Sequence, residues 1–335
     1  MIGKGKITMK HRWIAALLAL LLIGMSQAAA EKRIAPEDKK VYTTADLIGH
    51  ETAYRVYDKK FYDAASEQPG TVVRIEYTSN QYGEPALHWA NVYLPFGYDE
   101  NGTERYPVMY FFHGTNETQD SFIMDEKAKN AVDNMIEVGV AVPFIMVFPT
   151  YYYDYGNRAL NVEKFVQEIR LELMPAVETA YHTYAESTDT AGFTASRMQR
   201  AFAGYSRGGR MTWEMFAAMQ DYAYWYLPMS GGFSNPEENP VPDHQQERLM
   251  DAIQRQPQWQ GNYFVYFSCG GKRDNAFDMC NDLTNYMLAD EAHFSYGLNP
   301  GENNLCYCSS NELHQTLIGR FYLYNAFRDV LWRAE

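Results

Sequence analysis

The stretch "RAFAGYSRGGRMTWEMF", residues 200–216, joins an apolar run to a helical pattern through a serine flanked by glycines. The apolar residues before Ser206 predict a buried strand, and the residues after it have helical spacing. Glycines stand two positions before and two positions after this serine, in Gly204-Tyr205-Ser206-Arg207-Gly208. A tight strand-to-helix turn strains the serine backbone and leaves no room for bulky neighbours, a need that glycine meets. The stretch therefore predicts a serine held at the carboxyl edge of a sheet, where the helix N-terminus favours negative charge.

The segments around this turn predict an α/β fold. Two alternating runs, residues 71–79 and 88–95, are joined by a Gly/Pro-containing connection, which is the signal of an antiparallel hairpin. Almost wholly apolar runs predict strands buried on both faces at 107–114, 143–150, 200–206, 224–232 and 263–271. Helical spacing lies between them at 125–138, 160–182 (which Pro175 kinks or splits), 207–220 and 244–256, and at 311–332. We expect one α/β domain over residues 71–335: a mostly parallel sheet, helices on both faces, and an antiparallel N-terminal hairpin.

The N-terminal segment has the pattern of a signal peptide. Four cations precede the apolar run "WIAALLALLLIGM", and "SQAAA" follows it. A basic region, a short apolar region and small residues predict cleavage after Ala30, so residues 1–30 are assigned to export, with an uncleaved anchor as the alternative. Residues 31–70, polar and irregular, are expected to form a leader packed on the domain edge. The expected location is secreted, extracellular or periplasmic.

The charge balance limits the partners. The formal net charge is −13, and it becomes −17 once the four cations of the first thirty residues are removed. Nucleic acids and anionic membranes both need a basic footprint, so neither is expected as a partner of the mature chain. No cofactor and no metal are expected.

A serine nucleophile needs a base, and the base needs an orienting carboxylate, in the chain order Ser, Asp or Glu, His. His314 lies where a loop gives way to the terminal helix and is the predicted base, with His293 in reserve and His244 disfavoured. Asp274, in the turn after the run 263–271, is the predicted acid. Asp278 and Asp282 compete with it, but both fall further along a helix face.

The same site needs donors for a developing oxyanion. We expect them to be the backbone N–H groups of Arg207 and of Thr115, which follows the third strand. His113, at the end of that strand, is predicted to have a structural hydrogen-bonding role. In the tyrosine run "PTYYYDYGN", Tyr151, Tyr152, Tyr153 and Tyr155 either stack on a substrate ring or pack on the surface.

Four cysteines cluster near the C-terminus: Cys269, Cys280, Cys306 and Cys308. In an exported protein an even count favours disulfides, and a bond across one residue is awkward, so bridges between the 269–280 and 306–308 segments are predicted. A four-cysteine zinc site is the alternative, although this spacing matches no compact zinc finger.

The chain also resembles a known family. "YFFHGTNET", "AFAGYSRGG", "SCGGKRD" and "LHQTLIGRFYLYNAF", in this order and spacing, resemble secreted feruloyl esterases and acetylxylan esterases of the first carbohydrate-esterase family. These are related to the esterase-D and mycolyltransferase branch of the α/β hydrolases, so the resemblance implies an α/β-hydrolase fold. The likeness covers roughly residues 70–332.

The resemblance implies Ser206 as nucleophile, Asp274 as acid, His314 as base, and Thr115 with Arg207 as oxyanion donors. It implies hydrolysis of ester-linked ferulate or acetate on plant cell-wall xylan without a cofactor, and small esters would also be substrates. Two departures touch the acyl pocket. Thr115-Asn116-Glu117 replaces the glycine-rich continuation that relatives often have, and Gln315 and Thr316 replace the aromatic residue that often follows the histidine.

Three alternatives remain at this stage. The first is a general carboxylesterase of the same fold. The second is a serine peptidase, because Ser, Asp and His in this order also cleave peptides. The third is an inactive hydrolase fold used for binding, which an intact set of candidate catalytic residues opposes.

Overall fold

A computed structural model describes residues 39–48, 54, 59–152, 161–233 and 244–332. A sheet of eight strands runs through these residues. The strands are β1 (Thr71–Ser79), β2 (Ala86–Leu94), β3 (Val108–Phe112), β4 (Ile145–Pro149), β5 (Arg200–Tyr205), β6 (Trp225–Met229), β7 (Phe264–Cys269) and β8 (Leu305–Ser309). Their order across the sheet is β1-β2-β4-β3-β5-β6-β7-β8. Strands β3 to β8 pair in parallel with one another, and β1 and β2 are antiparallel to their neighbours.

Helices cover both faces of this sheet. They are α1 (Thr44–Ile48), α2 (Lys59–Asp63), α3 (Ala128–Glu137), α4 (Val162–Glu168), α5 (Met174–Ala180), α6 (Thr190–Ala195), α7 (Arg207–Ala218), α8 (Gln245–Gln254), α9 (Phe277–Ala289) and α10 (Gly319–Asp329). Helices α4, α7, α8 and α9 contribute to one apolar core, and α2, α3 and α10 contribute to the core on the other side. The predicted α/β-hydrolase architecture, with its antiparallel N-terminal hairpin, is confirmed.

The apolar runs of the sequence explain why the central strands lie where they do. Every residue of β3, β4, β5, β6 and β7 is buried, because helices cover both faces of these strands. Edge strand β1 is mostly exposed, in keeping with its alternating pattern. A π-helical segment, Ile169–Leu173, interrupts the α-helical hydrogen bonding between α4 and α5, and Pro175 lies in the first turn of α5, where a kink or split was predicted.

The structure differs from the prediction at one strand and at the start of the terminal helix. Strand β8 was not predicted, because its five residues, "LCYCS", form a short run between polar segments. The terminal helix α10 begins at Gly319 rather than near residue 311, so His314 lies in the loop before the short 3₁₀ turn Thr316–Ile318. The leader also carries the two short helices α1 and α2, and the Thr44 hydroxyl accepts a hydrogen bond from Ser309 N at 2.6 Å.

The structure does not contain the predicted disulfides. All four cysteines are buried free thiols. Cys269 and Cys280 lie in the core on one side of the sheet, and Cys306 and Cys308 lie in the core on the other side. Because the sheet separates the two pairs, bridges between the 269–280 and 306–308 segments cannot form in this fold. The same separation keeps the four sulfurs from meeting around one zinc ion.

The signal-peptide prediction lies outside the described residues. Within them, no helix combines the length and apolar character that crossing a membrane requires.

Candidate active site

The turn after β5 has the geometry that its sequence predicts. Ser206 has φ 58° and ψ −114°, a backbone conformation that L-residues seldom adopt. A Cβ atom on Gly208 would lie 1.8 Å from the carbonyl oxygen of Phe112 in β3, and one on Gly204 would lie 2.4 Å from the carbonyl oxygen of Gly208. Glycine is therefore required at both positions, and the serine is presented at the carboxyl end of β5.

Three predicted side chains meet at this edge of the sheet. His314 Nε2 lies 2.8 Å from Ser206 Oγ, and His314 Nδ1 lies 2.6 Å from Asp274 Oδ1. These residues come from the turn after β5, the turn after β7 and the loop after β8. Parallel strands end at one edge of the sheet, which brings together side chains from distant parts of the chain. The result is a continuous hydrogen-bond chain from hydroxyl to imidazole to carboxylate.

The carboxylate of Asp274 is buried and fully hydrogen-bonded. Besides His314, the Ser230 hydroxyl donates to Oδ2 at 2.7 Å, and the backbone N–H groups of Ala276 and Gly270 donate at 2.8 and 3.2 Å. Burial opposes ionisation of this group, but the hydrogen bonds from His314, Ser230 and Ala276 outweigh it and lower the pKa of Asp274. The carboxylate is therefore kept ionised beside the imidazole. Ser230 was not predicted from the sequence.

Tyr205, the residue before Ser206, supports the histidine loop. Its hydroxyl accepts a hydrogen bond from Gln315 N at 2.9 Å, and its ring centroid lies 5.2 Å from that of His314. The second residue of the glycine-serine motif thus holds the backbone next to His314 and packs its ring beside the imidazole. The motif itself gives no signal of this role, because its second position accepts any residue type.

The two predicted oxyanion donors flank Ser206. Thr115 lies in the loop after β3, and Arg207 opens helix α7. Among the described residues neither backbone N–H donates a hydrogen bond to the protein, so both remain available to a ligand. The two residues also touch each other, since Arg207 Nε donates to Thr115 Oγ1 at 3.2 Å.

His113 and the two described tyrosines of the tyrosine run form a buried support beneath the Thr115 loop. His113 Nδ1 lies 2.8 Å from the Gly114 carbonyl, Nε2 lies 3.0 Å from the Thr150 hydroxyl, and burial lowers its pKa to about 3. Tyr151 donates its hydroxyl to the His113 carbonyl. Tyr151 and Tyr152 are only 8% and 6% exposed, so both side chains are packed against the protein. Tyr153 and Tyr155 lie outside the described residues.

The competing acids and bases lie elsewhere. His244 is exposed and pairs with Glu247, and His293 pairs with Asp290 at 2.7 Å. Asp278 and Asp282 lie on helix α9, whereas the carboxylate bonded to the His314 imidazole is that of Asp274. Of the sequence candidates, His314 is therefore the base that contacts Ser206, and Asp274 is the acid that contacts His314.

A cavity of about 580 Å³ opens over this hydrogen-bond chain. Ser206, His314 and Thr115 line it together with two carboxyl groups, those of Glu117 and Glu126. Burial raises the pKa of Glu126, and the nearby Arg320 guanidinium partly offsets this effect. In the described part of the chain no cluster of three or more His, Cys, Asp or Glu side chains could hold a metal ion. A half-buried hydroxyl that lines the cavity and is bonded to a paired imidazole, with free N–H donors beside it, is an arrangement suited to acyl transfer.

Comparison with known proteins agrees with this chemistry. The Esterase family model, described as "Putative esterase", matches residues 88–311, so the chain belongs to this family and is a carboxylic ester hydrolase with an α/β-hydrolase fold. The chain is 34% identical over 261 residues to endo-1,4-β-xylanase Y of Acetivibrio thermocellus. That alignment covers 77% of this chain and 23% of the relative. It is 32% identical over 190 residues to an endo-1,4-β-xylanase/feruloyl esterase of Xylanibacter ruminicola, covering 54% of this chain and 24% of that protein. The aligned part therefore spans about a quarter of the length of these curated relatives.

Solved structures that resemble this chain are also feruloyl esterases. A serine-to-alanine variant of the feruloyl esterase module from Clostridium thermocellum, complexed with sinapinate, matches with a TM-score of 0.72 at 28% identity, covering 88% of this chain and 97% of that one. A ferulic acid esterase from Anaeromyces mucronatus, of the first carbohydrate-esterase family, matches with a TM-score of 0.59 at 20% identity, covering 82% and 96%. The second likeness concerns the fold. The resemblance to feruloyl esterases of this family is thereby confirmed.

Proposed function

We propose that this chain is an exported serine esterase that hydrolyses ester-linked hydroxycinnamoyl or acetyl groups on plant cell-wall xylan. The observation that carries the proposal is the hydrogen-bond chain from Ser206 through His314 to Asp274, which borders the cavity. An imidazole bonded to a serine hydroxyl on one nitrogen and to a carboxylate on the other can both accept and return a proton.

In the first half of the reaction, Ser206 Oγ attacks the ester carbonyl carbon while His314 Nε2 takes the hydroxyl proton. The carbonyl oxygen becomes an oxyanion, and the N–H groups of Thr115 and Arg207 donate to it. Collapse of this intermediate breaks the bond to the sugar oxygen, which receives the proton from His314. The products are a sugar alcohol and an acyl-serine.

In the second half, water attacks the acyl-serine while His314 takes one of its protons. The new tetrahedral intermediate collapses, Ser206 Oγ leaves and regains the proton from His314, and the free acid departs. Asp274 stays ionised throughout. It accepts the Nδ1–H hydrogen bond and stabilises the imidazolium that forms in each half.

The relatives support the substrate class. Two of them carry feruloyl esterase in their names, the module complexed with sinapinate is 28% identical, and two are xylanases by name. Sinapinate and ferulate are both hydroxycinnamates, and this cavity is large enough for one aromatic ring with its side chain. Export is supported by the basic and apolar pattern of the first thirty residues.

The test is a substrate panel of methyl ferulate, methyl sinapinate, feruloylated arabinoxylan oligosaccharides, acetylated xylan and p-nitrophenyl acetate. We expect free hydroxycinnamate from the oligosaccharides, and a higher kcat/KM for methyl ferulate than for p-nitrophenyl acetate. Release of acetate from acetylated xylan without release of ferulate would select the acetyl alternative. Turnover of p-nitrophenyl acetate alone would refute a polysaccharide substrate.

A further inference from the structure

Glu117 lines the cavity but takes no part in the proton transfers described above. It lies in the loop after β3, two residues beyond Thr115. Each of its two carboxylate oxygens accepts a hydrogen bond from a different loop of the site. A side chain with this placement can fix the distance between the two loops.

The first contact is within the oxyanion loop. Gly114 N donates to Glu117 Oε2 at 2.7 Å, and Glu117 N donates to the Gly114 carbonyl at 3.4 Å. Between them Asn116 has φ 63°, a left-handed conformation that turns the chain back on itself. A Cβ atom on Gly114 would lie 2.9 Å from Glu117 Oε2, so glycine is what lets the carboxylate approach this closely.

The second contact reaches the histidine loop. The Thr316 hydroxyl donates to Glu117 Oε1, joining residues that are 199 positions apart in the chain. Thr316 begins the 3₁₀ turn that follows His314 by two residues. The carboxylate thus connects the backbone just before Thr115 to the side chain just after His314.

An ionised carboxylate only accepts hydrogen bonds, and bonds to a charged acceptor are about twice as strong as neutral ones. The Gly114 N–H is used by this contact, which leaves the next N–H along the chain, that of Thr115, for a ligand. We propose that Glu117 is a positioning residue that fixes the Thr115 oxyanion donor relative to the His314 base. This proposal rests on the proposed function, since it concerns the transition state of that reaction.

The test uses four variants: Glu117→Ala, Glu117→Gln, Thr316→Val and the double variant Glu117→Ala/Thr316→Val. Two quantities are measured for each, kcat/KM with p-nitrophenyl acetate and the inhibition constant of phenylboronic acid. The boronic acid forms a tetrahedral adduct with an active serine, so its affinity reports on transition-state complementarity. Thermal unfolding gives the folded fraction at the assay temperature.

We expect Glu117→Ala to lower kcat/KM by about 10–100-fold, because a displaced oxyanion donor costs somewhat less than a deleted one. The inhibition constant of phenylboronic acid should rise by a similar factor. Glu117→Gln should recover most of both losses, since its amide oxygen can accept from Gly114 N and its NH₂ can donate to Thr316. The double variant should be no worse than Glu117→Ala, because both changes break one connection.

An unchanged boronic acid constant in Glu117→Ala would overturn the proposal, and so would additive effects in the double variant or a Gln variant as impaired as the Ala variant. Ser206→Ala is assayed in parallel. If Ser206→Ala loses turnover while Glu117→Ala keeps the wild-type affinity for phenylboronic acid, only the positioning role of Glu117 is refuted. Full turnover in Ser206→Ala would instead refute the proposed function.

Discussion

Replacing Gly208 with alanine should damage both the fold and the site, because this glycine is where the serine turn meets strand β3. The new Cβ would lie 1.8 Å from the Phe112 carbonyl oxygen and 2.6 Å from its carbonyl carbon, whereas ordinary contacts begin near 3.4 Å. Helix α7 and the end of β3 must therefore separate by about 1.6 Å at this point. The atom in the way belongs to the backbone, and Phe112 is paired with Gly204 in the sheet, so no side-chain rotation can relieve the overlap.

Overpacking a core usually lowers the free energy of unfolding by about 1–3 kcal/mol, and a clash with hydrogen-bonded backbone should lower it by about 3 kcal/mol or more. Phe112 is followed at once by His113, Gly114 and Thr115, so the shift moves the oxyanion loop. A misplacement of about 1 Å can cost about 100-fold in rate. The folded Gly208→Ala enzyme should lose turnover on that scale as well as stability.

The assay is urea unfolding together with kcat on p-nitrophenyl acetate, corrected for the folded fraction. Gly97→Ala is the matched control, because Gly97 has φ 78° and open space where its Cβ would lie. Gly97→Ala should lower the free energy of unfolding by about 1–2 kcal/mol through backbone strain and leave kcat unchanged. A Gly208→Ala protein as stable and as active as this control would refute the close-packing explanation of the motif.

Three further predictions concern the core around the site. Glu178→Ala should lower the free energy of unfolding by about 3–5 kcal/mol and leave kcat unchanged, because it leaves the buried Arg200 guanidinium without its carboxylate partner at the end of β5 away from Ser206. A loss of kcat in the folded protein would contradict this prediction. The free energy of unfolding should fall by up to about 1.4 kcal/mol per pH unit as pH drops from about 6.5 toward 3, because His113 is protonated in the unfolded chain and stays neutral in the folded one. A His113→Gln variant whose unfolding free energy changes with pH as steeply as that of wild type would contradict this prediction. The four buried thiols should resist a thiol-specific reagent in the native protein and all react after denaturation, whereas fewer than four would reveal a disulfide.

The sequence predicted the fold class and the three meeting side chains because both signals are local or ordered along the chain. Buried strands appear as apolar runs, and the glycine-serine turn specifies its own strained geometry. Chain order then limited the base to three histidines, and the loop before the terminal helix singled out His314. None of these inferences needed to know which side chains touch across the sheet.

The features that the sequence did not predict depend on such contacts. Ser230 and Glu117 act through hydrogen bonds to partners far along the chain, Asp274 and Thr316. The stretch "YFFHGTNET" contains Glu117 but gives no signal of its contact with Thr316. The cysteine pairing failed for a related reason. Cys306 and Cys308 lie on β8, whose five residues stand between polar segments and do not belong to a longer apolar run of the kind that marks the other strands. Without that strand, the face of the sheet on which each thiol lies could not be read.

The most direct test of Ser206 as the nucleophile is kcat/KM of Ser206→Ala with p-nitrophenyl acetate. The serine and the histidine act as a unit, so the loss should be on the order of 10³-fold or more, with an unchanged thermal unfolding midpoint. Ser187→Ala, which removes an exposed hydroxyl bonded to Asp189, should keep wild-type activity. A Ser206→Ala protein that retains wild-type kcat/KM would contradict the assignment of this hydroxyl as the nucleophile.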